Sequence, residues 1–209
     1  ISGLKIKSDI SGIEKEDINK CDEDIIKQCN YLSNTIDNFR NFLKGEKIIS
    51  KLHIKEVLDE TISLISASLN NNFIKLILNI DGDIQISGNK NELIEALINI
   101  INNSKDILKT NVINDEDRFI IISTKIIKND KLELKILDSG GGISNANIEK
   151  VFDPYFSTKH KSLGTGLGLT ISHKILVERH NAKLYVSNEN FNHENKSYTG
   201  ACFKIIFNS

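Results

Sequence analysis

Residues 137–143 read Leu137-Asp138-Ser139-Gly140-Gly141-Gly142-Ile143. An apolar run ends on a carboxylate, and three glycines follow at once. The run itself, residues 131–138, connects to residues 118–128 through Asn129-Asp130, a pair suited to a reversing turn. The segment therefore reads as a β-hairpin whose second strand delivers an aspartate to a bend. Glycine at the bend lets the backbone come close to a ligand. A carboxylate there can accept from an exocyclic amine. Taken alone, Asp138 reads at least as well as a plain turn residue.

Downstream, Gly164-Thr165-Gly166-Leu167-Gly168-Leu169 runs into an apolar segment with Ile171, Ile175 and Leu176. Unpaired N–H groups at a helix start bind phosphate, and glycine admits it. No Gly-Lys-Ser/Thr follows and no strand ends immediately before, so neither a P-loop nor a dinucleotide fingerprint fits. Upstream, residues 91–108 have the period of a helix, with Leu93, Ile94, Leu97, Ile98 and Ile101 on its core face. Glu95, Asn99, Asn103 and Asp106 recur at steps of 4, 4 and 3 and share an arc of roughly 80°. Oxygen ligands on one helix face suit Mg²⁺; the alternative is a solvated face.

Around this centre, residues 52–54 and 74–80 read as extended, 56–69 as a helix and 81–83 as a turn. Residues 148–156 read as a short helix entering a loop, 166–179 as a helix, and 184–187 and 201–207 as closing strands. This mixed order predicts an α+β protein, an α/β sandwich rather than a doubly wound parallel sheet. The front of the chain differs. Residues 1–8 read as a helix end, stopped by Ser11-Gly12. Ile18, Cys21, Ile25, Cys29, Leu32, Ile36, Phe39 and Leu43 then form a heptad seam closed by Gly45. Two readings stay open for it, a long core helix or one strand of an antiparallel bundle.

Composition narrows the function. With 209 residues and 39% hydrophobic content the chain can build a core, and a net charge of −1 gives no electrostatic case for nucleic acid or anionic membrane. No apolar run is long enough to cross a bilayer. Cys21, Cys29 and Cys202 form no metal or redox motif, which suits a reducing, cytoplasmic setting and small buried side chains. The chain contains no Met and begins at Ile1, so it is expected to be a piece of something longer.

In chain order the four segments are Glu95-Ala-Leu-Ile-Asn99-Ile-Ile-Asn-Asn103-Ser104, Asp138-Ser-Gly140-Gly-Gly142-Ile143, Val151-Phe152-Asp-Pro-Tyr-Phe156-Ser-Thr-Lys159 and Gly164-Thr-Gly166-Leu-Gly168. This series resembles the N, G1, F and G2 boxes of the sensor histidine kinases. Those kinases share an ATPase superfamily with gyrase B, MutL and a heat-shock chaperone. The resemblance covers about residues 50–209. It implies a Bergerat-type ATP-binding fold over 48–209, preceded over 1–47 by part of a dimerisation and histidine-phosphotransfer hairpin. Residues 31–42 resemble that hairpin's second helix.

By resemblance, Asn103 ligates Mg²⁺ and Asn99 supports it, the two being the expected catalytic positions, with Asp106 near the phosphates. Asp138 takes the adenine amino group, Gly140 and Gly142 admit the base, and Ile143 and Phe152 line its apolar side. Lys159 reaches the phosphates from a short lid, and the backbone of Gly164, Thr165, Gly166, Leu167 and Gly168 faces them. The cofactors implied are ATP and Mg²⁺; the partners are a second copy through the hairpin and a response-regulator receiver domain. None of His53, His160, His173, His180 and His193 fits the acceptor motif, so the acceptor is expected upstream of Ile1. The ATP-hydrolysing relatives carry a glutamate where Asn99 stands. An amide is no general base at neutral pH, which favours transfer to a protein histidine over hydrolysis. A serine kinase like the anti-sigma-factor relatives, or a non-catalytic nucleotide-binding scaffold, are the alternatives.

Overall fold

The computed structural model describes residues 49–158 and 165–208, with the isolated positions 22 and 25. The hairpin expected over 1–47 and the box residues Lys159 and Gly164 lie outside the described residues. Of the chain's two compact units, the larger spans Lys47–Thr158 and Gly164–Ser209 and carries every element below.

Strand β1 (Ser50–His53) pairs antiparallel with β3 (Gln85–Gly88), and the five-stranded main sheet has the order β2-β4-β5-β7-β6. Its strands are β2 (Lys75–Ile80), β4 (Phe119–Ile127), β5 (Lys131–Asp138), β6 (Lys183–His193) and β7 (Lys196–Phe207). Only the β2–β4 pair is parallel. Helices α1 (Ile54–Asn70), α2 (Lys90–Asn111) and α4 (Gly168–His173) belong to the same core as the sheet, while α3 (Asn145–Ile148) is a single turn with no buried residue. The expected α/β sandwich is present.

Local chemistry accounts for the elements. Asn89 caps α2, its Oδ1 accepting from the N–H groups of Asn91 and Glu92 at 3.0 and 3.2 Å. Leu93, Leu97, Ile100, Ile101 and Leu108 on α2 are at most 1% exposed and meet Ile120, Ile122, Leu134 and Ile136 of the sheet. Asn129 and Asp130 both take positive φ at the β4–β5 turn, as do Glu194 and Asn195 in the two-residue β6–β7 turn.

The structure corrects four readings. The helix expected over 148–156 is only Asn145–Ile148, and irregular turns follow it. Asp153-Pro154 bars a helix from running through 153, because the residue before a proline avoids the helical region. The helix expected over 166–179 is α4 followed by a π-helical segment, Lys174–Arg179. Strand β3 was not expected, its alternation being only four residues long. The closing strands are far longer than 184–187 and 201–207, because Asn- and Glu-rich stretches that look like loop are held by the β6–β7 ladder.

Candidate functional site

Helix α2 forms one wall of the candidate site. Near its C-terminal half, the β5–β7 ladder ends at Leu137 opposite Cys202. The next donor, Ala201 N–H, goes to the Asp138 side chain (Oδ1, 3.2 Å), and Gly140 N–H donates to the same oxygen at 3.0 Å. Ser104 on α2 donates to Oδ2 at 3.0 Å. Asp138 is 2% exposed. Burial pushes its carboxyl above the usual carboxylate range, against the opposing pull of the Gly140, Ala201 and Ser104 hydrogen bonds. Two carboxylate oxygens offer about four lone pairs. Three protein donors leave Oδ2 able to take one more.

The glycines are set by close approach. A Cβ at Gly140 would stand 2.6 Å from Ile107 Cγ2, and one at Gly142, where φ is +80°, 2.6 Å from Asn188 Oδ1. Asn111 donates to the Gly140 carbonyl at 3.3 Å, so α2 holds this loop through two residues. A Cβ at Gly200 would stand 1.5 Å from the Asp138 carbonyl oxygen. Ile143 lies against the core, as does Phe152, whose ring meets those of His173 (centroids 5.2 Å) and Phe203 (6.5 Å).

At the other end of the wall, a Cβ at Gly168 would lie 3.7 Å from the Asn99 side chain. The start of α4 therefore abuts the middle of α2. Ser172, fully buried, fixes this by donating to Ala96 O, with Gly168 O also at 3.0 Å. Thr165 Oγ1 accepts from Leu167 N–H at 3.2 Å. Gly166 has φ +67° and carries the carbonyl that accepts from Tyr155 N–H at 3.1 Å. Between Asn99 and Ser104 stands Asn103, whose Nδ2 donates to Asn99 O at 2.9 Å, and just past Ser104 is the half-buried Asp106. Glu95 lies one turn before Asn99. Its Oε1 is buried without a hydrogen-bond partner. Burial raises its pKa, Glu92 adds to this, and Arg179, ion-paired to Glu92, opposes it.

Of the residues singled out from the sequence, Asn99, Thr165, Gly166, Leu167 and Gly168 lie where the start of α4 meets the middle of α2. Asp138, Gly140, Gly142 and Ile143 lie nearer the C-terminal end of α2. Sequence reasoning missed Ser104, Ile107, Asn111, Ser172, Asn188 and Gly200. Gly200 was detectable, since a glycine within a strand signals a close backbone approach. Ser104 sits one position past Asn103, at the border of the polar stripe. Asn188 carries no signal that sets it apart from its Asn-rich surroundings.

Comparison with known proteins gives the family and the fold. The sequence pattern of the histidine kinase-, DNA gyrase B- and HSP90-like ATPases matches residues 88–208, and the chain belongs to that family. It is similar to sensor histidine kinases. Sporulation kinase E of Bacillus subtilis is 26% identical over 167 residues, covering 79% of this chain and 21% of the relative. Sporulation kinase A of the same organism is 30% identical over 158 residues, 75% of this chain and 23% of the relative. The chain thus spans under a quarter of the length of either. Among solved structures, the nucleotide-free catalytic domain of histidine kinase ThkA has a TM-score of 0.59 at 24% identity, covering 77% of this chain and 95% of that one. ThkA in complex with the response regulator TrrA has a TM-score of 0.68 at 19% identity, covering 99% of this chain and 55% of that one. These likenesses carry the fold.

Proposed function

We propose that this chain binds Mg-ATP along α2 and transfers the γ-phosphoryl group to a protein histidine, none of the five in its own sequence, for later relay to a response-regulator aspartate. The observation that carries the reading is the division of labour on one helix. Asp138, held from α2 by Ser104, presents a buried acceptor at one end. Asn99, packed against the glycine-rich start of α4, marks the other, with Asn103 between. Along α2, Asn99 and Ser104 are about 7.5 Å apart in rise.

In this reading Asp138 accepts from the adenine amino group through Oδ2, and the Gly140–Gly142 bend lies against the base. Asn103 is the Mg²⁺ ligand. With its Nδ2 given to Asn99 O, Oδ1 is the atom a hard cation would take; Asp106, expected by resemblance near the phosphates, lies two residues past Ser104 on the same helix. When bound, Mg²⁺ would neutralise charge on the phosphates. The chain's own part is positioning. The backbone of the glycine-rich segment up to Gly168 would face the phosphates, Lys159 being expected beside it by resemblance alone, and Asn99, lacking a basic group, leaves water unactivated. Glu95 does not replace that base, because its carboxylate lies a further turn away with its oxygen buried. Homodimerisation through residues 1–47 and a cytoplasmic setting complete the proposal. No helix among the described residues is long and apolar enough to cross a membrane.

The test is titration of the chain with ATP, with and without Mg²⁺. Binding is expected, with Asn103→Ala abolishing the Mg²⁺-dependent part while the melting temperature changes little. Absence of nucleotide binding by the wild type overturns the reading. Incubation with γ-labelled ATP and a histidine-bearing helical hairpin of this kinase class then tests transfer. Binding without labelling moves the function to a nucleotide-dependent scaffold.

A further inference from the structure

Strand β6 is one of the two edge strands of the main sheet. Its residues Leu184 and Val186 pack against the core, and by the two-residue period Asn188 continues the same row. At that point the core ends and the glycine loop begins. There the Asn188 amide meets the backbone of Ile143. Its Oδ1 accepts from Ile143 N–H at 2.7 Å, and its Nδ2 donates to Ile143 C=O at 2.7 Å. The side chain thus imitates a backbone peptide, and Ile143 is paired at both of its main-chain groups. The same Oδ1 occupies the space where a Cβ of Gly142 would stand.

The loop is therefore gripped from two sides. Ile107 and Asn111 of α2 hold Gly140, and Asn188 of β6 holds Ile143. Gly141, between them, has φ +89° and donates its N–H to Thr199 O at 2.9 Å. Released from Asn188, the Gly142–Ile143 half of the bend has no other hydrogen bond to the sheet among the described residues. Asn188 is itself exposed and fills no part of the core, so its contribution is specific to the loop.

We infer that Asn188 is a positioning residue that sets the base-side wall of the nucleotide pocket by clamping Ile143, and thereby tunes recognition of the purine. The inference rests on the nucleotide-binding reading above. It is tested with Asn188→Ala in the full chain, by three measurements. Amide hydrogen exchange at Ile143, which needs no nucleotide, should accelerate, since both bonds of the clamp are gone. Affinity for ATP should fall about tenfold, the scale of one or two neutral hydrogen bonds, with little change in melting temperature. The preference for ATP over purine riboside triphosphate, which lacks the 6-amino group, should narrow, a readout that a merely structural role would not move.

Unchanged Ile143 exchange, or unchanged ATP affinity and preference in a wild type that binds ATP, overturns the inference. A wild type that binds no nucleotide sinks the functional reading instead, while the exchange measurement still reports on the clamp. Should Asn188→Ala fail to fold, Asn188→Asp keeps the shape and the acceptor for Ile143 N–H but sets a second acceptor against its carbonyl. The same accelerated exchange and weakened affinity are expected. Failure of both variants to fold overturns the inference, because a residue acting only on the loop must be dispensable to the fold.

Discussion

The two ends of the candidate site, both built on α2, differ in construction. At the Asp138 end every tie runs to a regular element: Ala201 on β7, Ser104, Ile107 and Asn111 on α2, Asn188 on β6. At the Gly166 end the ties among residues 152–170 run largely between two irregular segments. Tyr155 N–H donates to Gly166 O, and Thr170 donates to Phe152 O. Tyr155 there is left-handed (φ +64°) and 78% exposed. Local opening follows the number of buried contacts an element makes. The base end is thus part of the global fold, and the phosphate end is a local structure resting on it. Substitutions of similar size should separate the two.

Gly200→Ala should have the largest effect. Its Cβ would fall 1.5 Å from the Asp138 carbonyl oxygen, which is backbone on a central strand and cannot swing away. We expect a loss beyond about 4 kcal/mol, the range of severe single substitutions, read as failure to give a cooperative melt. A folded Gly200→Ala variant of near-normal stability would show that the base end is as yielding as the phosphate end.

Asp138→Ala comes next. It strands the Gly140 and Ala201 N–H groups in the interior, at about 1–3 kcal/mol for each unsatisfied group, and should lower ATP affinity on the order of 100-fold through loss of a buried charged acceptor. Asp138→Asn separates charge from geometry. The folded carboxyl titrates above its unfolded value near 3.8. The contribution of this one group to stability is therefore fully present below that value and is lost as pH rises through the folded pKa. The neutral amide has no such dependence. The stability of Asp138→Asn relative to wild type should rise as pH is raised from about 3.8 in denaturant titrations. A flat difference would mean that burial imposes no cost on the Asp138 charge.

The same division explains what the sequence made legible. The α+β class with its α/β sandwich, α1, α2, β2 and the β4–β5 hairpin were readable because each element combines a strong period with a clear stop, Asn129-Asp130 being one. The pairing of Asp138 with a glycine bend was readable for the same reason: strand end, carboxylate and glycines are contiguous. The partners of Asp138 were not, since Ser104 and Ala201 come from segments 34 and 63 residues away and no local signal records such contacts. The π-helical segment at Lys174–Arg179 was equally hidden. Its composition suits an ordinary helix, and tertiary contacts select the wider form. His180 donates from Nδ1 to Ile175 O and accepts at Nε2 from Asn89 N–H, while Arg179 pairs with Glu92.

At the phosphate end, Gly166→Ala tests whether local structure can fail alone. A Cβ there would stand 2.5 Å from the Tyr155 carbonyl carbon and 2.7 Å from Phe156 O, at φ +67°. Strain of this kind costs about 1–3 kcal/mol, but the loop can relax outward. The expected outcome is a melt shifted by only a few degrees together with a large loss of ATP affinity. A stability loss equal to that of Gly200→Ala would erase the distinction between the two ends.

Ser172→Ala should give the smallest effect and the most direct reading of how the ends communicate. Ser172 Oγ can donate to only one acceptor at a time. Its neighbours Ala96 O and Gly168 O each already belong to a helix. Removing it leaves no buried donor stranded and opens a space of a single oxygen atom, so stability should fall by about 1 kcal/mol. Its consequence lies in position rather than energy. Ser172 joins the first turn of α4 to α2 one turn before Asn99, and Gly168 packs on Asn99. Without the hydroxyl, the glycine-rich start of α4 loses its polar registration against the helix that carries Asn99 and Asn103. Affinity for ATP should therefore drop severalfold while affinity for adenosine, which has no phosphates, stays the same. Equal losses for both ligands would mean that α4 is coupled to the Asp138 end through the core, and that the two ends act as one.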